Sequence, residues 1–206
     1  MRNEKMKKKF ICTALFVCIL LSLCVLPSSA NGEGAFRTAV IIDSADIAGF
    51  SENTGVLHAL IDVLEENEGV GVTFYIDIEN TQTSTDLTAA LMYFKVNGFR
   101  VGLYGNDEEA AVYFNNVIKY VIKGATRLLI CEVQSADAFK EKGYSVITKF
   151  DISFTESSHD VINMNAQGDT FVKTVLDQST VTDIERLIGY ALPNGISILG
   201  ANEKKN

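Results

Sequence analysis

The chain has 206 residues, with 18 lysines and arginines against 26 aspartates and glutamates and a formal net charge of −8. That balance argues against nucleic acid or an anionic membrane surface as partner, since both are bound through excess positive charge, and it permits a neutral glycan, a cation or a basic protein surface. With only two histidines, an ordinary histidine-rich metal site is excluded.

Arg2, Lys5, Lys7, Lys8 and Lys9 form a basic head, Phe10 to Leu26 an apolar body, and Ser28-Ser29-Ala30 a small-residue cleavage site before Asn31. This is the pattern of a secretory signal peptide over residues 1–30, and it predicts a secreted or cell-surface protein with no membrane association after cleavage. The alternative is an anchor made by an uncleaved leader, although the apolar body lies at the bottom of the spanning range. Residues 31–206 are long enough for one domain with a sizeable core. Cys12, Cys18 and Cys24 fall in the leader, so Cys131 is left without a partner for an internal disulfide. Its place in the apolar run Leu128 to Cys131 reads as a buried, inert thiol.

In chain order, Asn31 to Arg37 is a polar lead-in. The run Thr38 to Ile42 then ends abruptly in Asp43, as a buried parallel strand does when it surfaces. Ser51 is placed to cap a helix with Val56, Leu57, Leu60, Ile61 and Leu64 on one face. A second strand, Val70 to Ile76, ends at Asp77, Glu79 and Asn80. Ser84 opens a helix with Leu87, Ala90, Leu91 and Phe94 on one face, stopped at Gly98 before a strand from Phe99 to Tyr104. Asp107 caps a third helix, striped by Ala111, Phe114, Val117, Ile118, Val121 and Ile122 and ending at Gly124. Arg127 to Val133 is a strand, Ser135 to Lys142 a short helix closed by Gly143, and Tyr144 to Phe150 a strand before Asp151. Residues 152–165 are irregular, with short β-like pieces and a polar loop at 156–160. Helices are predicted near Asp169 to Gln178 and Thr182 to Leu192, and a last strand over Ile196 to Leu199. Alternating strands and helices predict an α/β fold, a small distorted (β/α) barrel of about seven parallel strands, with an open doubly wound sheet as the alternative.

The order of motifs resembles the polysaccharide deacetylases of carbohydrate esterase family 4, the NodB-like superfamily. Ala39 to Ser44 resembles the family's strand ending in TFDDG, and Gly71 to Ile76 (GVTFYI) its ATFFV strand. Asn97 to Tyr104 is similar to the stretch that carries H-x-x-x-H, Lys142 to Ile147 to the segment before the fifth strand, and Gly195 to Leu199 to the last strand. The resemblance implies polysaccharide N-deacetylase activity, in which the first acid of TFDDG is the general base while the second acid and two histidines hold a divalent metal such as zinc. Asp43 matches the first acid, but Ser44 stands at the second, Tyr104 at the first histidine and Glu108 at the second. Arg127 is kept without the prolines of its motif, and no histidine lies near Gly200. The metal ligands are not retained, so no metal or other cofactor is expected.

Asp43, Asp46, Asp77, Glu79, Asp107, Glu108, Glu109 and Asp151 all fall at or just after predicted strand ends, which would gather them on one rim. One reading is an acidic cleft with Ser44, lined by Tyr75 and Tyr104, that binds a glycan or an oxygen-ligated cation. The other is that these acids are solvated helix caps and first-turn residues favoured by the helix dipole. His58 and His159 match no ligand position. The expected function is an exported, catalytically degenerate deacetylase-like protein that binds cell-wall glycan or an envelope protein. The alternatives are a divergent carbohydrate deacetylase or hydrolase using Asp43 with a carboxylate-bound cation, and an interaction module with an unused cleft.

Overall fold

The computed structural model describes residues 34–154 and 169–201; the leader, the loop at 156–160 with His159, and the tail from 202 lie outside them. The strands are β1 Ala35–Ile42, β2 Thr73–Asp77, β3 Arg100–Tyr104, β4 Leu128–Ile130, β5 Ser145–Ile147, β6 Ile152–Phe154, β7 Thr170–Val175 and β8 Ser197–Gly200. The α-helices are α1 Ser44–Ile47, α2 Val56–Glu65, α3 Thr85–Val96, α4 Glu108–Ile122, α5 Ala136–Glu141 and α6 Gln178–Ala191. One parallel sheet runs β5-β4-β3-β2-β1-β7-β6, with β8 paired to β1 beside this path. It curls into a half-barrel with the helices outside, the distorted (β/α) barrel expected from the alternation, built from eight described strands where about seven were expected.

β1 is the centre of the sheet. Along one edge Phe36 to Ile41 pair with Thr170 to Val175 of β7. Along the other, Ala35 to Thr38 pair with Ser197 to Gly200 of β8, and Ala39 to Ile42 with Thr73 to Ile76 of β2. Every residue of β1 is buried, and Ala39 to Ile42 accordingly read as a continuous apolar run rather than an alternation; the strand starts at Ala35, inside the expected polar lead-in, with Arg37 buried in an ion pair with Asp169. Phe36, Val40 and Ile42 join the main core under the helices, while Ala39 and Ile41 join a smaller inner cluster with Tyr75, Ile130 and Ala201. The main core carries an aromatic stack: Phe74 lies face to face on Phe94 at 4.3 Å, and Phe99 meets Phe74 edge-on at 5.4 Å. Such pairs add about 0.5–1.5 kcal/mol each beyond the area they bury.

Several local expectations hold in detail. Ser84 caps α3 by accepting from the Leu87 N–H, Asp107 caps α4 by accepting from Glu109 and Ala110, and Gly98 takes the left-handed conformation, φ 76°, after α3. Others are corrected. The stretch expected to be a helix from Asp169 to Gln178 is β7, because Thr-Phe-Val-Lys-Thr-Val carries alternating β-branched residues that pair with β1 over six positions. Ser51 does not cap a helix: it lies in a 3-10 turn, Phe50–Glu52, and α2 starts after Gly55. Asp86 of α3 holds that turn by accepting from the N–H groups of Gly49 and Ser51 and from the Ser51 hydroxyl, and these bonds lower its pKa. The left-handed residue that ends α4 is Lys123, φ 59°, not Gly124. Ser135 closes a 3-10 turn and makes no side-chain cap for α5.

Candidate functional site

Asp43 leaves β1 at the carboxyl end of the sheet and its side chain turns back onto the chain. Oδ1 accepts from Ala45 N at 2.7 Å and Asp46 N at 3.1 Å, while Asp46 Oδ2 accepts from Asp43 N at 2.9 Å. The two acids form a reciprocal capping box on α1. Asp46 is pushed up to about 6, first by burial and then, against the Asp43 N–H that lowers it, by the negative charges of Asp43 and Asp177. Ser44 Oγ accepts from Gln82 N at 2.8 Å and so ties α1 to the loop after β2.

The other rim acids sew neighbouring loops together. Asp77 Oδ1 accepts from Glu79 N and Asn80 N, at 3.0 and 3.1 Å, closing the turn at the end of β2. Glu79 Oε1 then accepts from Asn106 N, and Asn106 Oδ1 from Glu132 N, both at 2.9 Å, so the loops after β2, β3 and β4 are joined side by side. Gly105, φ 141°, allows this, since a Cβ there would lie 2.7 Å from Ile78 Cγ1 and 3.2 Å from Glu79 Oε1. Glu108 stands apart in an ion pair with Lys142. Asp151 lies just before β6, where its Oδ2 accepts from Phe171 N at 2.8 Å and its N–H donates to Phe171 O at 2.9 Å. It clips β6 to β7 rather than joining the loops at the ends of β2, β3 and β4.

Tyr75 and Tyr104 share the concave face. Tyr75 is fully buried in the inner cluster against Gly102, whereas Tyr104 at the end of β3 packs on that cluster half-buried. Burial and then the charges of Asp77, Glu79 and Glu132 raise the Tyr104 phenol, which keeps it a proton donor. Phe150 lies on the same cluster, and Lys173 of β7 sits over both rings, its Nζ 5.6 Å from each centroid. Lys173 was missed because its stretch reads as helical; the alternation of Phe171, Lys173 and Val175 is the signal that places it on one face of a strand. Asn106 and Glu132 were missed too, and their pairing across two loops leaves no local sequence trace. Cys131 is buried with its thiol pushed up by that burial, as an inert core sulfur should be.

A parallel half-barrel with outer helices and a rim of strand-end loops is the fold of the polysaccharide deacetylases. It matches the polysaccharide deacetylase Bc1974 from Bacillus cereus with a TM-score of 0.62 at 10% identity, over 84% of this chain and 93% of that one. It matches the peptidoglycan deacetylase PdaC from Bacillus subtilis with a TM-score of 0.57 at 12% identity, over 84% and 89%. It also matches BA3943, a CE4 family pseudoenzyme from Bacillus anthracis, with a TM-score of 0.58 at 12% identity, over 81% and 63%. No family model and no curated protein matches the sequence.

The divalent metal that this fold implies does not fit the side chains present. Asp43 turns one carboxylate oxygen to backbone N–H groups, Ser44 accepts from Gln82, Tyr104 is a protonated phenol and Glu108 is paired with Lys142. Among the described residues no group of three histidines, cysteines or acids could hold a metal ion. A hydroxyl and a phenol are poor replacements for a carboxylate and an imidazole at a zinc-type centre.

Proposed function

We propose that this chain is an exported protein of the polysaccharide deacetylase fold that has lost the deacetylase reaction and binds glycan at the cell envelope. The observation that carries this reading is the use made of the family's acid and ligand positions: Asp43 caps α1, Ser44 pins the loop after β2, and Glu108 pairs with Lys142. Groups committed in this way have a structural use and are held by different neighbours rather than turned toward one shared cation. The similarity to a CE4 family pseudoenzyme, alongside deacetylases, supports the same reading. Export rests on the leader pattern of residues 1–30, and it supplies the compartment in which a wall glycan is met.

The test has two arms on one preparation of residues 31–206. With added zinc or cobalt, acetate release from chitooligosaccharides and peptidoglycan fragments is expected to stay at the level of the buffer. The same protein is expected to sediment with insoluble peptidoglycan. Metal-dependent acetate release abolished by Asp43→Asn would establish a divergent hydrolase instead, and failure to sediment would remove glycan binding.

A further inference from the structure

Lys173 is a cation at the concave face whose described surroundings are aromatic. In register it lies between Ala39 of β1 and Ser153 of β6, and Ala39 belongs to the inner cluster. Its ammonium stands over the faces of Tyr104 and Phe150, and among the described residues no carboxylate forms an ion pair with it. The acids around Tyr104 are committed elsewhere: Asp77 and Glu79 hold loop N–H groups and Glu132 pairs with Gln134. Lys173 itself is half-buried, so its ammonium keeps access to solvent and to a ligand.

Two half-buried rings around a cation with three unused donors form a small recognition set: the exposed parts of the rings take apolar sugar surface and the ammonium takes an acceptor. An ionised acceptor makes a hydrogen bond about twice as strong as a neutral one and supplies the counter-charge that Lys173 lacks. We propose that Lys173, Tyr104 and Phe150 form a binding platform for a pyranose that carries a carboxylate, with the sugar face on the rings and the carboxylate on the Lys173 ammonium. This rests on the glycan-binding reading and narrows it to acidic saccharides. The platform lies on β3, β7 and the segment after β5.

The experiment is calorimetric titration of residues 31–206 with three probes: hexagalacturonate, the disaccharide of N-acetylglucosamine and N-acetylmuramic acid, and uncharged chitohexaose. One or both acidic probes are expected to bind more tightly than chitohexaose, and which of them does so tells a uronate from a muramic carboxylate. Their affinity is expected to fall as salt rises, because the added free energy is a charge contact at a partly exposed site. Lys173→Gln is expected to weaken the acidic probes about tenfold or more and chitohexaose by less, because only the acidic probes lose a charge-assisted hydrogen bond. Lys173→Arg is expected to keep most of the affinity, and thermal melts show whether either variant is folded. Salt-independent binding, or chitohexaose binding as tightly as the acidic probes, overturns the proposal even if Lys173→Gln fails to fold. Peptidoglycan sedimentation separates the two readings. If it persists in Lys173→Gln while the acidic probes show no preference, glycan binding stands and this platform falls. If no saccharide binds in either assay, both fall.

Discussion

Asp46 gives the sharpest test of how the acids at the end of β1 are used. Its folded pKa is raised from 3.8 to about 6, so ionising it costs the folded state more than the unfolded chain. The folded protein therefore holds a proton that the unfolded chain has released between those two values. Stability contributed by this group is greatest below about pH 4, falls as the pH rises toward 6, and is flat above that. A shift of roughly two units corresponds to a ceiling of about 3 kcal/mol at about 1.4 kcal/mol per unit. Partial solvent access and screening reduce that to about 1 kcal/mol. Asp46→Asn removes the charge while its amide oxygen can still accept from Asp43 N. At neutral pH the variant is expected to be more stable than the parent by about 1 kcal/mol, a melting-point rise of about 2–4 °C for a domain of this size. The difference is expected to vanish near pH 4. Thermal melts followed by circular dichroism across that range read it directly. A variant that is less stable at neutral pH by the same amount as at pH 4 would refute the reasoning, because Asp46 would then be an ordinary ionised cap.

Gly102→Ala is expected to destabilise the domain by about 1–3 kcal/mol through overpacking. The new Cβ would stand 2.4 Å from Tyr75 Cε1 and 3.1 Å from Leu128 Cβ, and the fully buried Tyr75 ring has little room to move. Urea unfolding with an unchanged midpoint would mean that the inner cluster is looser than described. Asn106→Ala is expected to cost about 1 kcal/mol by leaving the Glu132 N–H without its acceptor. Faster amide exchange should follow in the loops after β3 and β4, and unaltered exchange there would show that the rim is not held by this link.

Much of the fold was legible because its signals are local. The apolar runs that end in Asp43 and Asp77, the caps Ser84 and Asp107, and the stop at Gly98 each depend on neighbours within a few residues, and the structure places them as expected. The resemblance to polysaccharide deacetylases was carried by the same runs, and the half-barrel agrees with it. β7 was misread because a strand six residues long, with charged and polar positions, is confirmed only by its pairing with β1, more than a hundred residues earlier in the chain.

The fate of the rim acids was decided by tertiary structure alone. From sequence, Asp43 at a strand end was equally a site residue and a helix cap. The four-residue helix α1 that it caps has too short a pattern to announce itself, and the box with Asp46 closes only when that turn forms. Glu79, Asn106 and Glu132 meet because three parallel strands lie side by side and bring their following loops into contact. Lys173 reaches Tyr104 and Phe150 because the curl of the sheet turns strands on opposite sides of β1 toward a common concave face. Sequence fixes what lies within one turn or one strand, since backbone geometry sets those distances; which distant side chains share a face is set by strand order and curvature, and these follow only from packing the whole chain.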